Sequence, residues 1–224
     1  MHEILNLDRN LTLFLNGSHS LVFDGAIYMA TQTLTWIPVG LLILYIIYRN
    51  GGPKMLWMVV LMISLGIFLS DQLSSSIVKP LTERFRPAND PKLMYVVDVV
   101  NNYRGGKYGF FSAHASNTFT VAVFFMLLFR HRLTSILLIS WAALNCYTRL
   151  YLGVHYVGDI LVGVLVGVVI GYILYQFYAS RKLSYSVPSS GEIVTSSGFR
   201  VADMNVLSAC IMLNYCALFV FPLF

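Results

Sequence analysis

The chain has 224 residues, of which 57% are hydrophobic and only 11% charged, and its net charge is +5. A soluble globular domain carries about 25% charged residues, so this composition excludes a disordered or water-soluble chain and argues against nucleic acid as a partner. A spanning helix needs about 20 apolar residues. We therefore expect an all-α, polytopic membrane helix bundle of about six spanning helices, with the lipid bilayer as its solvent.

The N-terminal segment 1–20 predicts an amphipathic helix. Apolar residues repeat there at helical spacing, opposite acidic and polar residues; they are Ile4, Leu7, Leu11, Phe14 and Leu15. Such a helix either lies in the headgroup layer of a membrane or packs as a short cap on the bundle.

Six apolar runs follow, and each is long enough to predict a membrane span or most of one. They cover residues 27–48, 55–78, 112–130, 134–148, 160–179 and 204–224. A Ser-rich stretch precedes the last run and is typical of a linker. The predicted organisation is thus an interfacial helix (1–20), a membrane core (21–182), a linker (183–203) and an extra C-terminal helix (204–224).

The distribution of cations predicts the orientation of the bundle. The short connections at 49–54 and 130–133 each carry two cations and no acid. Short loops rich in Lys and Arg stay in the cytoplasm. We therefore expect a multi-pass protein of a bacterial-type inner membrane, with the 87–111 loop and the site described next facing the periplasm.

Ionisable residues gather where the predicted spans end. Two follow the second span, one opens the third, and three lie between the fourth and fifth; in order they are Lys79, Arg86, His114, Arg149, His155 and Asp159. The third and fourth spans are each near 25 Å long at 1.5 Å per residue, so the chain crosses and returns and both histidines end on one face.

These residue types suit a phosphate ester. Lys and Arg neutralise phosphoryl oxygens, a neutral imidazole can attack phosphorus, and a second imidazole can protonate the leaving oxygen. Asp159 follows His155 by four residues, which puts both side chains on one face if the segment is helical. The carboxylate would then orient the attacking ring.

Three segments resemble the motifs of the type 2 phosphatidic acid phosphatase family. Lys79 through Pro87 (KPLTERFRP) is similar to a Lys, six residues, then Arg-Pro. The sequence FSAH at 111–114 resembles Pro-Ser-Gly-His, with Phe for Pro and Ala for Gly. Thr148-Arg149, five residues, His155, three residues and Asp159 resemble Ser-Arg-x5-His-x3-Asp. Order and spacing agree over residues 22–180.

The resemblance implies metal-independent hydrolysis of a membrane lipid phosphate or diphosphate through a phosphohistidine, with no cofactor. It makes His155 the nucleophile, Asp159 its orienting partner and His114 the general acid. The phosphoryl oxygens would be held by Lys79, Arg86, Ser112, Arg149 and the amide of Ala113. Undecaprenyl diphosphate, lipid A and phosphatidylglycerol phosphate are the candidate substrates, and no obligatory protein partner is inferred.

Two other functions use the same residue types. A non-enzymatic anion or lipid transporter would also need cations near the membrane, but paired broken helices are expected there and no internal pairing is visible. A haloperoxidase-like oxyanion site is the rival enzyme, although those proteins are soluble.

Four further features receive structural interpretations. Asp71 is expected to be an interhelical hydrogen-bond partner, and Glu83 and Arg84 to face solvent or headgroups. The 104–107 segment is expected to be a solvated loop. Gly158, Gly163, Gly167 and Gly171 predict a helix-packing seam.

Overall fold

The computed structural model describes residues 2–18, 20–181 and 192–220, and in these ranges it is all-α. Residues 183–191 of the predicted linker and 221–224 of the predicted last span lie outside the described residues. The helices are α1 (His2–Leu15), α2 (Leu21–Thr31), α3 (Thr33–Asp71), α4 (Lys79–Thr82), α5 (Ala113–Phe129), α6 (Arg132–Tyr151), α7 (Val157–Ser180) and α8 (Val201–Val220), and a π-helical segment, Gln72–Val78, joins α3 to α4.

The first predicted span is not one helix, because the chain becomes extended at Gln32 between α2 and α3. The hydroxyl of Thr35 and the indole N–H of Trp36 donate to carbonyls at the end of α2, at 2.8 Å each. They satisfy carbonyls that would otherwise lack partners in an apolar environment, and this makes the break tolerable. The prediction of a continuous helix through 27–48 was therefore wrong.

α3 itself bends at Gly52, whose backbone (φ 69°) is left-handed, and Pro53 follows. Its two arms, 33–51 and 53–71, carry most of the first two predicted spans. Among the described residues, three helical stretches are long and apolar enough to cross a membrane: Thr33–Thr82, α7 and α8. The helical membrane fold is confirmed, and the count of six spans remains a prediction.

Among the described helices, α5 and α7 pack closely against each other. At three α7 glycines, a Cβ would approach a backbone oxygen of α5 to within 2.7 Å; they are Gly163, Gly167 and Gly171. The predicted glycine seam is confirmed for these three. Gly158 also lies at a helix contact, but its neighbour is Asp8 of α1 and not a residue of α5.

The C-terminal part of the predicted linker belongs to the folded core. Phe199 is fully buried and packs edge-on against Phe129, with ring centroids 5.0 Å apart. α8 begins at Val201, inside the segment expected to be linker, and its Asp203 forms a 2.8 Å ion pair with Arg49. Composition did not predict this packing, because the buried ring of Phe199 lies in a segment rich in Ser, Thr and Gly.

α1 packs on the bundle with its polar residues. The Asn16 amide donates to the carbonyl of Tyr151 at 2.7 Å, and the Thr12 hydroxyl accepts from the amide of Val157 at 3.1 Å. Most of the predicted apolar face points away from the bundle, since Ile4 is 72% and Phe14 84% exposed, whereas Leu15 packs against the core. α1 is thus a cap on the bundle, and its outward apolar face is the one that a headgroup-layer location would use.

Candidate active site

His155 and Asp159 meet through a helix cap. His155 lies in the loop before α7, and Asp159 is the third residue of α7. One carboxylate oxygen, Oδ2, lies 3.1 Å from the amide of Tyr156 and 3.3 Å from Nδ1 of His155. The pair is therefore formed by a capping interaction rather than by two residues on one turn of helix, which was the sequence-based expectation.

Burial determines the protonation of His155. Its side chain is 3% exposed, and burial lowers its pKa to about 4, while the hydrogen bond to Asp159 acts in the opposite direction and the charges of Arg86 and Arg149 lower it further. The imidazole is therefore neutral at pH 7. Its Nδ1–H donates to Asp159, so Nε2 keeps a free lone pair, as a nucleophile requires.

His114 has a different partner, Asn145 of α6. The two side chains meet at 3.2 Å between Nε2 and Oδ1, and the amide nitrogen of Asn145 donates to the carbonyl of Trp141. Because the Asn145 oxygen therefore faces the ring, Nε2 carries the hydrogen and Nδ1 is left for proton transfer. The sequence interpretation missed Asn145. The one signal for it was its polar side chain, which lies one helical turn before Arg149 in an otherwise apolar run.

Two arginines are held by groups on different elements. Arg86 donates from Nε to the carbonyl of Tyr108 at 3.1 Å. Arg149 is 5% exposed and donates to the hydroxyls of Thr31 and Tyr103. Its buried Nε has no hydrogen-bond partner among the described residues, so one charged donor remains for an anion.

Lys79 is the first residue of α4, directly after the π-helical segment, and its Nζ lies 3.4 Å from the hydroxyl of Ser75. Ser75 in turn donates to Asp71 at 3.3 Å. Asp71 thus accepts its hydrogen bond from a residue four positions along the same helical stretch. The prediction of an interhelical partner was wrong. The charge of Asp159 also acts on Lys79, as does that of Arg86.

Ser112 connects the second motif to Asp159. Its amide donates to the carbonyl of Asp159 at 3.1 Å, and its hydroxyl accepts from the amide of Ala115, capping α5. The hydroxyl hydrogen is the one donor it keeps for a phosphoryl oxygen. Ala113 is the first helical residue of α5 and is not among the described residues with positive φ, so alanine is unstrained at the family's glycine position.

The position of Arg84 differs most from the sequence-based expectation. Expected to face solvent or headgroups, it donates from Nη1 to Asp159 Oδ1 at 2.7 Å and from Nη2 to Asp8 Oδ2 at 2.5 Å. Glu83, which is exposed as expected, ends α4 with a left-handed backbone (φ 46°). This turn directs the next residue towards α7.

Gly109 is a second residue that sequence reasoning missed. Its amide donates to the carbonyl of Arg84 at 2.8 Å. A Cβ here would lie 3.0 Å from Asp159 Oδ2 and 3.2 Å from Arg86 Cγ. The neighbouring 104–107 segment is exposed, as predicted.

The predicted residues therefore converge on one end of the bundle. The charge of Arg149 acts on both histidines, and that of Asp159 acts on Lys79 and Arg86. Two imidazoles, one carboxylate and three cations therefore lie within electrostatic range of one another. The described residues contain no group of three His, Cys, Asp or Glu spaced to hold a metal ion.

Comparison with known proteins identifies the family. Residues 54–183, more than half of the chain, match the model of the PAP2 superfamily. The chain belongs to this superfamily. The lipid A 4'-phosphatase of Bacteroides thetaiotaomicron is 40% identical over 191 residues, covering 84% of each chain. That of Porphyromonas gingivalis is 37% identical over 192 residues, covering 84% of this chain and 81% of the relative.

Two solved structures share the fold. The crystal structure of LpxE from Aquifex aeolicus superposes with a TM-score of 0.57 at 25% identity, covering 76% of this chain and 95% of LpxE. A phosphatidylglycerolphosphate phosphatase of the PAP2 type from Bacillus subtilis gives a TM-score of 0.59 at 20% identity, covering 81% of this chain and 89% of that one. The family predicted from the three motifs is confirmed.

Proposed function

We propose that this PAP2 protein removes a phosphate group from a lipid A-type glycolipid through a phosphohistidine formed on His155. The coarser activity, metal-independent hydrolysis of a membrane lipid phosphate, is that of its family. The observation that carries the proposal is the buried, neutral His155, held by Asp159 at 3.3 Å and surrounded by cations.

In the first step, Lys79, Arg86 and Arg149 bind the phosphoryl oxygens, assisted by the Ser112 hydroxyl and the Ala113 amide. Nε2 of His155 attacks phosphorus, forming an N–P bond as the P–O bond to the lipid breaks. The anionic phosphate stabilises His114 as the imidazolium, which gives the proton on Nδ1 to the departing lipid oxygen and keeps the one on Nε2. Charge that develops on the phosphoryl group is stabilised by groups already in place.

In the second step, water attacks the phosphorus of phosphohistidine. His114, now neutral, takes a proton from that water, and the N–P bond breaks to release inorganic phosphate. His155 and His114 then return to their starting states. The same imidazole serves as acid and base in turn, as microscopic reversibility requires.

The substrate is proposed from the relatives. Both curated relatives are named lipid A 4'-phosphatase, which favours lipid A over undecaprenyl diphosphate. The phosphatidylglycerolphosphate phosphatase is 20% identical and supports only the fold. The proposal includes the inner membrane and a site open to the periplasm, which rest on the cationic short loops.

The test is phosphate release by purified protein in detergent from matched concentrations of lipid A, phosphatidylglycerol phosphate and undecaprenyl diphosphate. We expect lipid A to give the highest kcat/KM, with a His155→Ala variant as the inactive control. A preference for either other lipid would overturn the substrate, and equal rates in the wild type and the control would overturn the mechanism.

A further inference from the structure

We propose that Arg84 and Asp8 are positioning residues for catalysis: Arg84 fixes the carboxylate of Asp159, and Asp8 on α1 fixes Arg84. This inference rests on the proposed function, because it concerns the carboxylate that orients His155. It makes the N-terminal helix, which lies outside the matched region 54–183, a part of the active site.

Arg84 is held on three sides. Its two terminal nitrogens donate to separate carboxylates, at 2.7 Å to Asp159 and 2.5 Å to Asp8. Its guanidinium carbon also lies 4.2 Å above the ring of Tyr156, whose hydroxyl donates to Asp90 at 2.8 Å. A planar guanidinium in such a setting has one orientation, and this is the rigidity that a positioning group needs.

The contact with Arg84 completes the coordination of Asp159. Oδ2 accepts from His155 and from the amide of Tyr156, whereas Oδ1 accepts from Arg84. The Asp159 side chain is fully buried, and a buried carboxylate needs a paired cation to offset the loss of its hydration. Arg84 supplies that cation and prevents the carboxylate from rotating away from His155.

Asp8 fixes Arg84 from the opposite side and is itself anchored on α7. Its Oδ1 accepts from the amide of Gly158 at 2.8 Å, and a Cβ on Gly158 would lie 3.2 Å from the carboxylate. A carboxylate at the first turn of a helix is also stabilised by the helix dipole. α1 thus reaches the turn of α7 that carries Asp159.

The same contacts distinguish Arg84 from the phosphate ligands. Its terminal nitrogens are already paired with two acids, whereas a buried nitrogen of Arg149 is unpaired. Losing Arg84 should therefore slow the attack by His155 without weakening substrate binding. The expected signature is a fall in kcat with an unchanged KM.

The experiment compares Arg84→Gln, Arg84→Lys and Asp8→Asn with the wild type, using Lys92→Gln as the matched control because Lys92 is an exposed cation. Kinetics on lipid A and on p-nitrophenyl phosphate are measured across pH in detergent. We expect Arg84→Gln to lower kcat about 10- to 100-fold, as is typical when a group that orients a catalytic side chain is lost. Asp8→Asn should lower it less, Arg84→Lys should retain part of the rate, and the control should match the wild type.

The pH profile separates positioning from a merely structural role. Without the nearby cation of Arg84, His155 takes up a proton more readily, so the acidic limb of kcat/KM should move to higher pH in Arg84→Gln. Asp8→Asn removes an acid and keeps the Arg84 cation, so its acidic limb should move to lower pH. A raised KM with unchanged kcat would make Arg84 a substrate ligand. Wild-type kcat in both variants, or lowered kcat with an unmoved pH profile, would overturn the proposal.

Two controls keep the outcomes distinct. Asp8→Asn conserves shape, so it remains informative if Arg84→Gln does not fold. If His155→Ala is inactive while Arg84→Gln has wild-type kcat, only the positioning proposal fails. If His155→Ala keeps wild-type activity, the proposed function fails, whatever the Arg84 variants do.

Discussion

The imidazole of His155 donates to a carboxylate, whereas that of His114 donates to a side-chain amide. A carboxylate holds a ring in one tautomer and stabilises positive charge on it, which suits the residue that attacks phosphorus. An amide orients the ring with less effect on its charge, which suits a residue that gains and loses a proton. The roles proposed for the two histidines rest on these partners.

This difference predicts different losses for the two histidines. General acid catalysis contributes about 10²–10⁴-fold and matters least for a good leaving group. His114→Ala should therefore abolish most of the first turnover of a lipid monophosphate but spare much of that of p-nitrophenyl phosphate, measured as the burst of p-nitrophenol. Steady turnover of both substrates falls, because His114 also activates the water of the second step. His155→Ala should abolish both activities, and Asp159→Asn should fall between. Equal losses of the first turnover on both substrates in His114→Ala would contradict the assignment of the general acid.

Gly109 offers a test that leaves every functional group in place. In Gly109→Ala the added Cβ would lie 3.0 Å from Asp159 Oδ2, closer than ordinary packing permits, so the His155–Asp159 pair must shift. Small displacements of reacting groups are costly, and we expect kcat to fall about tenfold or more. Gly106→Ala is the matched control, since nothing lies within 4 Å of its Cβ position. Unchanged kcat in Gly109→Ala would contradict this geometry.

In the proposed mechanism, three cations neutralise the phosphate charge, which is the part that metal ions have in two-metal phosphatases. Hydrolysis should therefore persist in excess EDTA and be inhibited by vanadate, which mimics five-coordinate phosphorus. Phosphate release with and without chelator is the measurement. Loss of activity in EDTA and its return with Mg²⁺ or Mn²⁺ would contradict the mechanism.

At the scale of elements, the spacing of residues along the chain predicted those site residues that lie within the three motifs. Asp159 follows His155 by four positions, so its contact could be predicted even though a helix cap rather than a helical turn produces it. Arg84 lies 75 positions from Asp159 and 76 from Asp8, and Asn145 lies 31 from His114. These contacts arise from the packing of α1, α6 and α7, which no local pattern encodes.

Some predicted helix boundaries were wrong for related physical reasons. The break at Gln32 depends on the side chains of Thr35 and Trp36 reaching back to the carbonyls of α2. The early start of α8 depends on Phe199 finding a partner in α5. Hydropathy alone registers the apolar length of a segment, whereas these boundaries are set by individual tertiary contacts.

For the whole molecule, the main prediction is its orientation in the membrane. Lys54 and Lys92 are both exposed, and the cationic short loops place the first in the cytoplasm and the second outside. Single cysteines at these positions, in a background lacking Cys146, Cys210 and Cys216, should respond differently to an impermeant thiol reagent. Position 92 should label in intact cells and position 54 only after the membrane is opened. The reverse pattern would invert the orientation and exclude a substrate in the outer leaflet.

The proposed mechanism depends above all on a covalent phosphohistidine at His155. The direct measurement is acid-labile phosphate bound to the protein after rapid quench, with p-nitrophenyl phosphate as the donor so that His114 is not needed for the first step. The wild type and His114→Ala should trap phosphate, and His155→Ala should trap none. Phosphate trapped by His155→Ala but not by His114→Ala would contradict the account by reversing the roles of the two histidines.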